Sequence, residues 1–159
     1  MPNTFVLARV LHVLGVVIWI GGVAMVTMVI LPAIRRFEQP ERRVEVFEAI
    51  EGRFARIAKV ATVIVGLTGF YMVERMNAWA LFGLASHWWL PGMVAVWLLF
   101  TLVLFVLEPL FLHRWFHEHG QSEPERTFKL VQIMHWVLLA VSLTVIVGVV
   151  AGSHGWFLF

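Results

Sequence analysis

Two histidines lie inside long apolar runs of the sequence, where an ionisable side chain is not expected. His12 lies in a run that carries no Asp, Glu, Lys or Arg from Val10 to Ile34, and His135 lies inside the last apolar run. Because an ionisable group is costly in such a segment, it is a candidate for a functional role. Neutral imidazole is the commonest protein ligand for metals, and histidines on the helices of a bundle hold haem iron. The pair predicts a small membrane protein that binds haem or a metal ion, with a buried structural histidine as the alternative at each position.

The composition supports a membrane protein and excludes several other classes. Of the 159 residues, 60% are hydrophobic and 14% are charged, whereas soluble domains are nearer half apolar and a quarter charged. The formal net charge of +2 is too small to indicate a nucleic-acid partner. The chain contains no cysteine, which excludes disulfides, thiolate catalysis and iron–sulfur clusters. The N-terminal apolar run is too long for a signal peptide.

Four apolar segments are long enough to cross a bilayer as helices, at about 4–34, 57–73, 88–112 and 128–151. Because irregular backbone cannot satisfy its hydrogen bonds in lipid, they predict an all-α fold, an integral membrane four-helix bundle that forms a single domain over residues 1–159. Apolar residues at three- and four-residue steps predict an amphipathic cytoplasmic helix over about 41–56 that runs into the second span. Gly52 is a candidate for a bend between them.

The distribution of basic residues predicts the orientation of the bundle. Ten of the twelve Lys and Arg residues fall in the first and third connections, and only Arg9 and Arg75 fall on the other side. The positive-inside rule then places both termini and the second connection outside the cytoplasm. We therefore expect a multi-pass protein of the inner membrane, whose apolar helix surfaces contact the lipid bilayer.

His12 lies close to the outer end of the first span, and His135 lies in the inner third of the fourth. Because a helix rises 1.5 Å per residue, we expect the two side chains to differ in depth by roughly 15 Å. They therefore cannot both ligate one iron. The outer site would combine His12 with His87 or Met93, and Gly66 and Gly69 would let a macrocycle or a helix approach closely. An inner site would combine His135 with His113 or His117. For His87 an interfacial role beside tryptophans is the alternative, and for Met93 a place in the core.

Two further groups have simpler interpretations. Glu108 near the inner end of the third span predicts a structural ion pair with Arg35, Arg36 or Arg114, with proton uptake as the alternative. His113, His117 and His119 lie at a helix end, where contact with solvent or headgroups is the expected role.

Short motifs along the chain resemble the CopD-like copper-resistance membrane proteins and the related HemJ-type protoporphyrinogen oxidases. The motifs are Leu11-His12-Val13-Leu14-Gly15, Trp19-Ile20-Gly21-Gly22, Leu31-Pro32-Ala33-Ile34-Arg35-Arg36, Gly52-Arg53-Phe54, Gly66-Leu67-Thr68-Gly69, Trp89-Leu90-Pro91-Gly92 and the stretch from Lys129 to His135. They extend over nearly the whole chain, but they are short and mostly apolar.

The resemblance implies two different functions. HemJ-type proteins are four-helix membrane haem b proteins in which the histidine matching His12 is a key residue. They also use a lysine near the start of the third helix, where this chain has Met93, so the resemblance implies haem binding more directly than oxidase activity. CopD-like proteins are associated with copper handling across the inner membrane. The side chains offered here as copper ligands are His12, Met25, Met28, Met72, Met76 and Met93.

Together these observations predict a small b-type cytochrome for electron transfer or haem-dependent oxidoreductase chemistry. His12 is the expected axial ligand, and His135 is expected in a second or alternative site. A quinone or another redox protein is the expected partner, and homo-oligomerisation is left open. The alternatives are a copper transport or tolerance protein, a protoporphyrinogen oxidase-like enzyme, and a structural subunit with merely buried histidines.

Overall fold

The computed structural model describes the backbone of residues 2–112 and 122–156 and the side chains of residues 3–110 and 122–156. Within these residues the chain is 93% helical and has no strands. The predicted all-α class is therefore confirmed. His113, Arg114, His117 and His119 lie outside the described residues, so the structure does not bear on the roles predicted for them.

Helix α1 (Pro2–Met25) continues through a π-helical segment (Val26–Ile30) into α2 (Leu31–Phe37). Helix α3 (Pro40–Arg75) follows after a two-residue break and runs without interruption through Gly52. Two short 3₁₀ segments (Ala78–Gly83 and Ala85–His87) lead into α4 (Trp89–Leu102), which continues as a π-helical segment (Val103–Leu112). The described chain ends with α5 (Pro124–Ser153).

The helix ends follow from the local sequence. Pro40 and Pro124 stand in the first turns of α3 and α5, where a missing N–H costs nothing. Asn77, with φ of 50°, adopts the left-handed conformation just after α3 and reverses the chain. Pro109 lies inside the π-helical end of the third span, where its ring removes a backbone donor from the regular ladder.

Four helical stretches of the described chain are long and apolar enough to cross a membrane: Asn3–Phe37, Pro40–Arg75, Trp89–Leu110 and Pro124–Ser153. Their most apolar windows have mean hydropathies from 1.5 to 2.5. Large apolar side chains such as Val17, Leu67 and Val147 are exposed on the outside of the bundle, where lipid would cover them. This architecture is compatible with a multi-pass membrane protein.

Two hydrophobic clusters hold the bundle together. The larger lies between α1, α3, α4 and α5 and includes Trp19, Phe100 and Leu139. The smaller lies where α2 meets the first turns of α3 and α5, and Phe47 and Leu31 are almost completely buried there. The predicted amphipathic helix is thus the first part of α3, and the apolar side of that part packs on α2 and α5.

Close contact between α1 and α3 depends on small residues. A Cβ atom added at Gly15 would lie 2.7 Å from Val65 Cγ2, which is closer than real Cβ contacts. Helix α1 packs more extensively on α3 than on any other described element. The pair therefore forms a rigid support for the side chains that face each other across it, His12 among them.

Candidate functional site

His12 projects from α1 onto α3 and is held there by two hydrogen bonds. Its Nδ1 atom lies 3.0 Å from the carbonyl oxygen of Val65 and 3.1 Å from Oγ1 of Thr68. The Thr68 hydroxyl itself donates to the carbonyl oxygen of Ile64 at 2.6 Å. Because the hydroxyl proton is used there, the Thr68 oxygen accepts from His12. The network therefore places the imidazole proton on Nδ1 and leaves the lone pair on Nε2.

A structural histidine such as His154 also bonds a backbone carbonyl through Nδ1, and the same feature is common in metal-ligating histidines. Such residues usually donate one ring N–H to a carbonyl or carboxylate, which orients the ring and raises the basicity of the other nitrogen. Both hydrogen bonds that His12 makes to described residues come from α3, and both use the same nitrogen. Thr68, which the sequence analysis did not single out, thus belongs to the candidate site as a positioning residue.

Gly66 and Gly69 leave space on α3 for two different side chains. A Cβ atom at Gly69 would lie 3.2 Å from Cε1 of His12, so this glycine makes room for the imidazole ring. A Cβ atom at Gly66 would lie 2.6 Å from the indole of Trp97, whose N–H donates to the carbonyl oxygen of Thr62. The notch at Gly66, which is the space left by its missing side chain, is therefore filled by the indole of Trp97. A haem macrocycle could enter this notch only if Trp97 moved.

His135 has the same kind of backbone hydrogen bond on a different helix. Its Nδ1 lies 2.9 Å from the carbonyl oxygen of Val131, one turn earlier on α5. The ring stands edge-on to Phe47, with centroids 5.4 Å apart, and the residue is 8% exposed. Nδ1 therefore carries the proton, and Nε2 makes no hydrogen bond to a described residue.

The structure keeps His12 and His135 at separate levels of the bundle. His12 contacts α3 at Val65, whereas His135 contacts α3 at Phe47. These two positions are about 18 residues apart on one continuous helix, which corresponds to roughly 27 Å. The two imidazoles do not form one ligand pair.

The two other ligand candidates belong to the start of α4. His87 lies in the 3₁₀ segment before that helix, where its Nδ1 is 3.0 Å from Oγ of Ser86 and its ring is 5.7 Å from Trp89. Met93 is partly buried and packs on the larger core cluster. The hydrogen bonds of His12 are made to α3. No contact between His12 and either His87 or Met93 is present among the described residues.

A cavity of about 310 Å³ lies at the level of His135, between all four long helices. Its walls include Trp19 from α1, Phe47 and Phe54 from α3, Phe100 from α4 and His135 from α5. Three carboxylates, Glu48, Glu51 and Glu108, also line it. The sequence does not predict this cavity. Its one local signal is that Glu48 and Glu51 are three residues apart and so share a helix face with Phe47 and Phe54.

The predicted ion pair of Glu108 exists, but its partner differs from the prediction. Oε2 of Glu108 lies 2.8 Å from Nζ of Lys59 on α3, and the two side chains are 24% and 29% exposed. The prediction of Arg35 or Arg36 was therefore wrong, whereas Arg114, the third predicted partner, lies outside the described residues. The π-helical segment that carries Glu108 packs on α3, and Lys59 lies on that helix.

The two histidine environments differ in what they could hold. Around His12 the described partners are neutral, and the imidazole is oriented for coordination through Nε2. Around His135 three carboxylates line the cavity, and one of them, Glu108, is paired with Lys59. No group of three or more His, Cys, Asp or Glu side chains within the described ranges is arranged to hold a metal ion.

Comparisons with family models, with curated proteins and with solved structures found no match to this chain. The resemblance to the CopD-like and HemJ-type proteins consequently stays a prediction. The features of the molecule that bear on its function are the two oriented imidazoles, the four apolar helices and the carboxylate-lined cavity.

Proposed function

We propose that the chain is an inner-membrane b-type haem protein that transfers electrons, with His12 as an axial ligand. The observation that carries the proposal is the hydrogen bonding of the His12 ring. Nδ1 is tied to Val65 and Thr68, so Nε2 is the atom that would bind iron. The chemistry that haem b would supply is one-electron transfer, and the protein would tune it through burial and through the hydrogen bonds that His12 makes to Val65 and Thr68.

The surroundings of His12 are consistent with a partner in the membrane. The residue is half-buried, and its neighbours Leu11 and Val13 are exposed on the outer surface of the bundle, where lipid would lie. A quinone dissolved in the bilayer, or another membrane redox protein, could approach this face closely. The opposing axial ligand is left open, with His87 and Met93 as the predicted candidates.

The copper alternative has weaker support. Copper transport needs soft ligands at successive depths inside the bundle. Met25, Met28 and Met76 instead have more than half of their surface exposed on the outside of the helices. The structure offers no observation that favours an oxidase or copper function over electron transfer.

The test is the visible spectrum of the detergent-purified protein, oxidised and dithionite-reduced, after expression with ample haem. A pyridine haemochrome assay gives the stoichiometry. We expect a b-type spectrum that His12→Ala abolishes. His154→Ala is the matched control, because His154 also bonds a backbone carbonyl through Nδ1, at 2.8 Å, but is exposed beyond α5.

Either of two results would refute the assignment. A colourless wild-type protein would leave copper handling or a structural role, and metal analysis would then separate these two. Full retention of haem in folded His12→Ala would show that another residue is the axial ligand. If the protein bound two haems per chain and His135→Ala lost one of them, that result would support the predicted second site at His135.

A further inference from the structure

The cavity at the level of His135 is lined by carboxyl groups from two different elements. Glu48 and Glu51 are three residues apart on α3, and Glu108 belongs to the π-helical end of the third span. Glu108 has its partner in Lys59. Glu51 is half-buried and makes no ion pair or hydrogen bond with another described residue. The Glu51 carboxyl group therefore lines the cavity without a direct counter-ion from the described part of the chain.

The charged and titratable groups around Glu51 come from three elements. They are Glu48 and Lys59 on its own helix, Glu108 on the third span and His135 on α5. The residues of α1 that line the cavity carry no titratable group. Nζ of Lys59 lies 2.8 Å from Oε2 of Glu108, so this lysine is already engaged with another carboxylate.

The surroundings of Glu51 favour its neutral form. The residue lies in the amphipathic part of α3, before the apolar second span that begins at about residue 57. The pKa of its carboxyl group is raised to about 7, and burial is the largest cause, because a buried carboxylate loses its hydration. Repulsion by Glu108 and Glu48 also raises this pKa, and attraction to Lys59 lowers it. The neutral and ionised forms are therefore both populated near neutral pH.

We propose that Glu51 is a reversible proton-binding site and that the cavity is its route of exchange with water. A cavity of about 310 Å³ has room for water molecules beside the carboxyl group. On release, the proton passes from Glu51 to a water molecule and a carboxylate remains. While Glu51 is neutral, Lys59 is attracted to Glu108 alone, and once Glu51 is ionised both carboxylates attract the lysine. The site is separate from the haem proposed at His12 and does not depend on it.

The test is an infrared pH titration of the full-length protein in a detergent without ester groups. All ten acidic residues of the chain are glutamates, so carbon-13 labelling of the glutamate carboxyl identifies the band of a protonated acidic side chain. We expect such a band to disappear with a midpoint at about pH 7 and to be missing in Glu51→Gln. Glu45→Gln is the matched control and should keep the band, since Glu45 is exposed on the same helix and does not line the cavity.

A second variant tests the same site while keeping Glu51 in place. Glu108→Gln removes a neighbouring negative charge and releases Lys59 from its ion pair, so it should move the midpoint to lower pH by roughly one pH unit or more. A role of Glu51 in packing alone predicts no such movement. This variant decides the question if Glu51→Gln does not fold, as judged by circular dichroism. His12→Ala should leave the midpoint unchanged, which separates this proposal from the haem assignment.

Thermal unfolding at several pH values gives an independent readout. Because the pKa of Glu51 is raised from 4.5 to about 7 on folding, the folded chain holds the extra proton between these values. The wild type should therefore lose stability as the pH rises through this window. Glu51→Gln stays neutral, so its melting temperature should be close to that of the wild type at about pH 5 and higher at about pH 8.

Three results would overturn the proposal. The first is the absence of a protonated-carboxyl band in the wild type below the expected midpoint. The second is a band that folded Glu51→Gln retains, since another glutamate would then hold the proton. The third is a midpoint that folded Glu108→Gln leaves unmoved.

Discussion

At the scale of single residues, the orientation of His12 is the most informative feature of the molecule. An imidazole on a membrane helix could be a ligand, a hydrogen-bonded core residue or a proton carrier. The hydrogen bonds to Val65 and Thr68 restrict these roles, because they assign the proton to Nδ1. Thr68 accordingly takes part in defining the chemistry of His12, although it carries no charge and would not itself touch a haem.

We expect Thr68→Val to weaken haem binding without removing it. The substitution keeps the side-chain shape but removes the hydroxyl that accepts from Nδ1, and loss of such a partner typically costs about tenfold to hundredfold in metal affinity. Haem titration of the apoprotein, followed by absorbance, measures the effect.

Thr144→Val is the control for this prediction, because Thr144 makes the same kind of bond to the carbonyl one turn earlier but is exposed on α5. Its affinity for haem should equal that of the wild type. Equal losses in both variants would show that Thr68 matters only for the helix and not for His12.

At the scale of helices, the ion pair between Lys59 and Glu108 connects α3 to the irregular end of the third span. Its 2.8 Å separation lies in a partly buried position, where removing one partner leaves the other charge poorly solvated. The pair therefore contributes to the position of the π-helical segment that carries Glu108, and with it to the shape of the cavity.

We expect Lys59→Met to destabilise the protein by about 1–3 kcal/mol, between the values for exposed and fully buried pairs. The double variant Lys59→Met/Glu108→Gln should recover most of that loss, because it leaves no charge unpaired. Thermal unfolding in detergent measures both. If the double variant were as unstable as Lys59→Met, the lysine stem and not the charge would be the stabilising part.

The notch that Gly66 forms for Trp97 determines how α4 packs on α3. A methyl group at Gly66 would overlap the indole ring, which is also fixed by its hydrogen bond to Thr62. We expect Gly66→Ala to lower the free energy of unfolding by about 1–3 kcal/mol, as overpacking usually does. Gly21→Ala should change it by less than about 0.5 kcal/mol, because nothing lies near that position. Similar melting temperatures for the two variants would contradict the described packing.

At the scale of the whole molecule, the four apolar helices and the asymmetry of basic residues together predict one orientation in the membrane. The chain has no cysteine, so single-cysteine variants report on sidedness without background. We expect an impermeant maleimide to label Leu84→Cys in intact cells, since the connection before α4 is predicted to be outside.

Gln39→Cys, in the predicted cytoplasmic connection between α2 and α3, should be labelled only after the cells are opened. Both positions are exposed, so failure to react in intact cells would reflect the membrane and not burial. If Gln39→Cys alone were labelled in intact cells, the orientation of the protein would be opposite to the predicted one.

The sequence by itself determined the fold class, because hydropathy over about twenty residues is a local property and does not depend on neighbours. It also singled out His12 and His135, since an ionisable residue stands out in an apolar run whatever surrounds it. Glu108 was recognised as needing a partner, but Lys59, which pairs with it, was not among the predicted partners, because sequence distance does not reveal which helices meet at a given level of the bundle.

Only the tertiary structure decided the partners across helices. The carbonyl that orients His12 is 53 residues away, and the indole that fills the notch at Gly66 belongs to another helix. The cavity takes its walls from four helices, so no single segment contains its pattern. Such contacts depend on the rotation of each helix about its axis and on close packing of the bundle, and neither property is encoded in any local stretch of the chain.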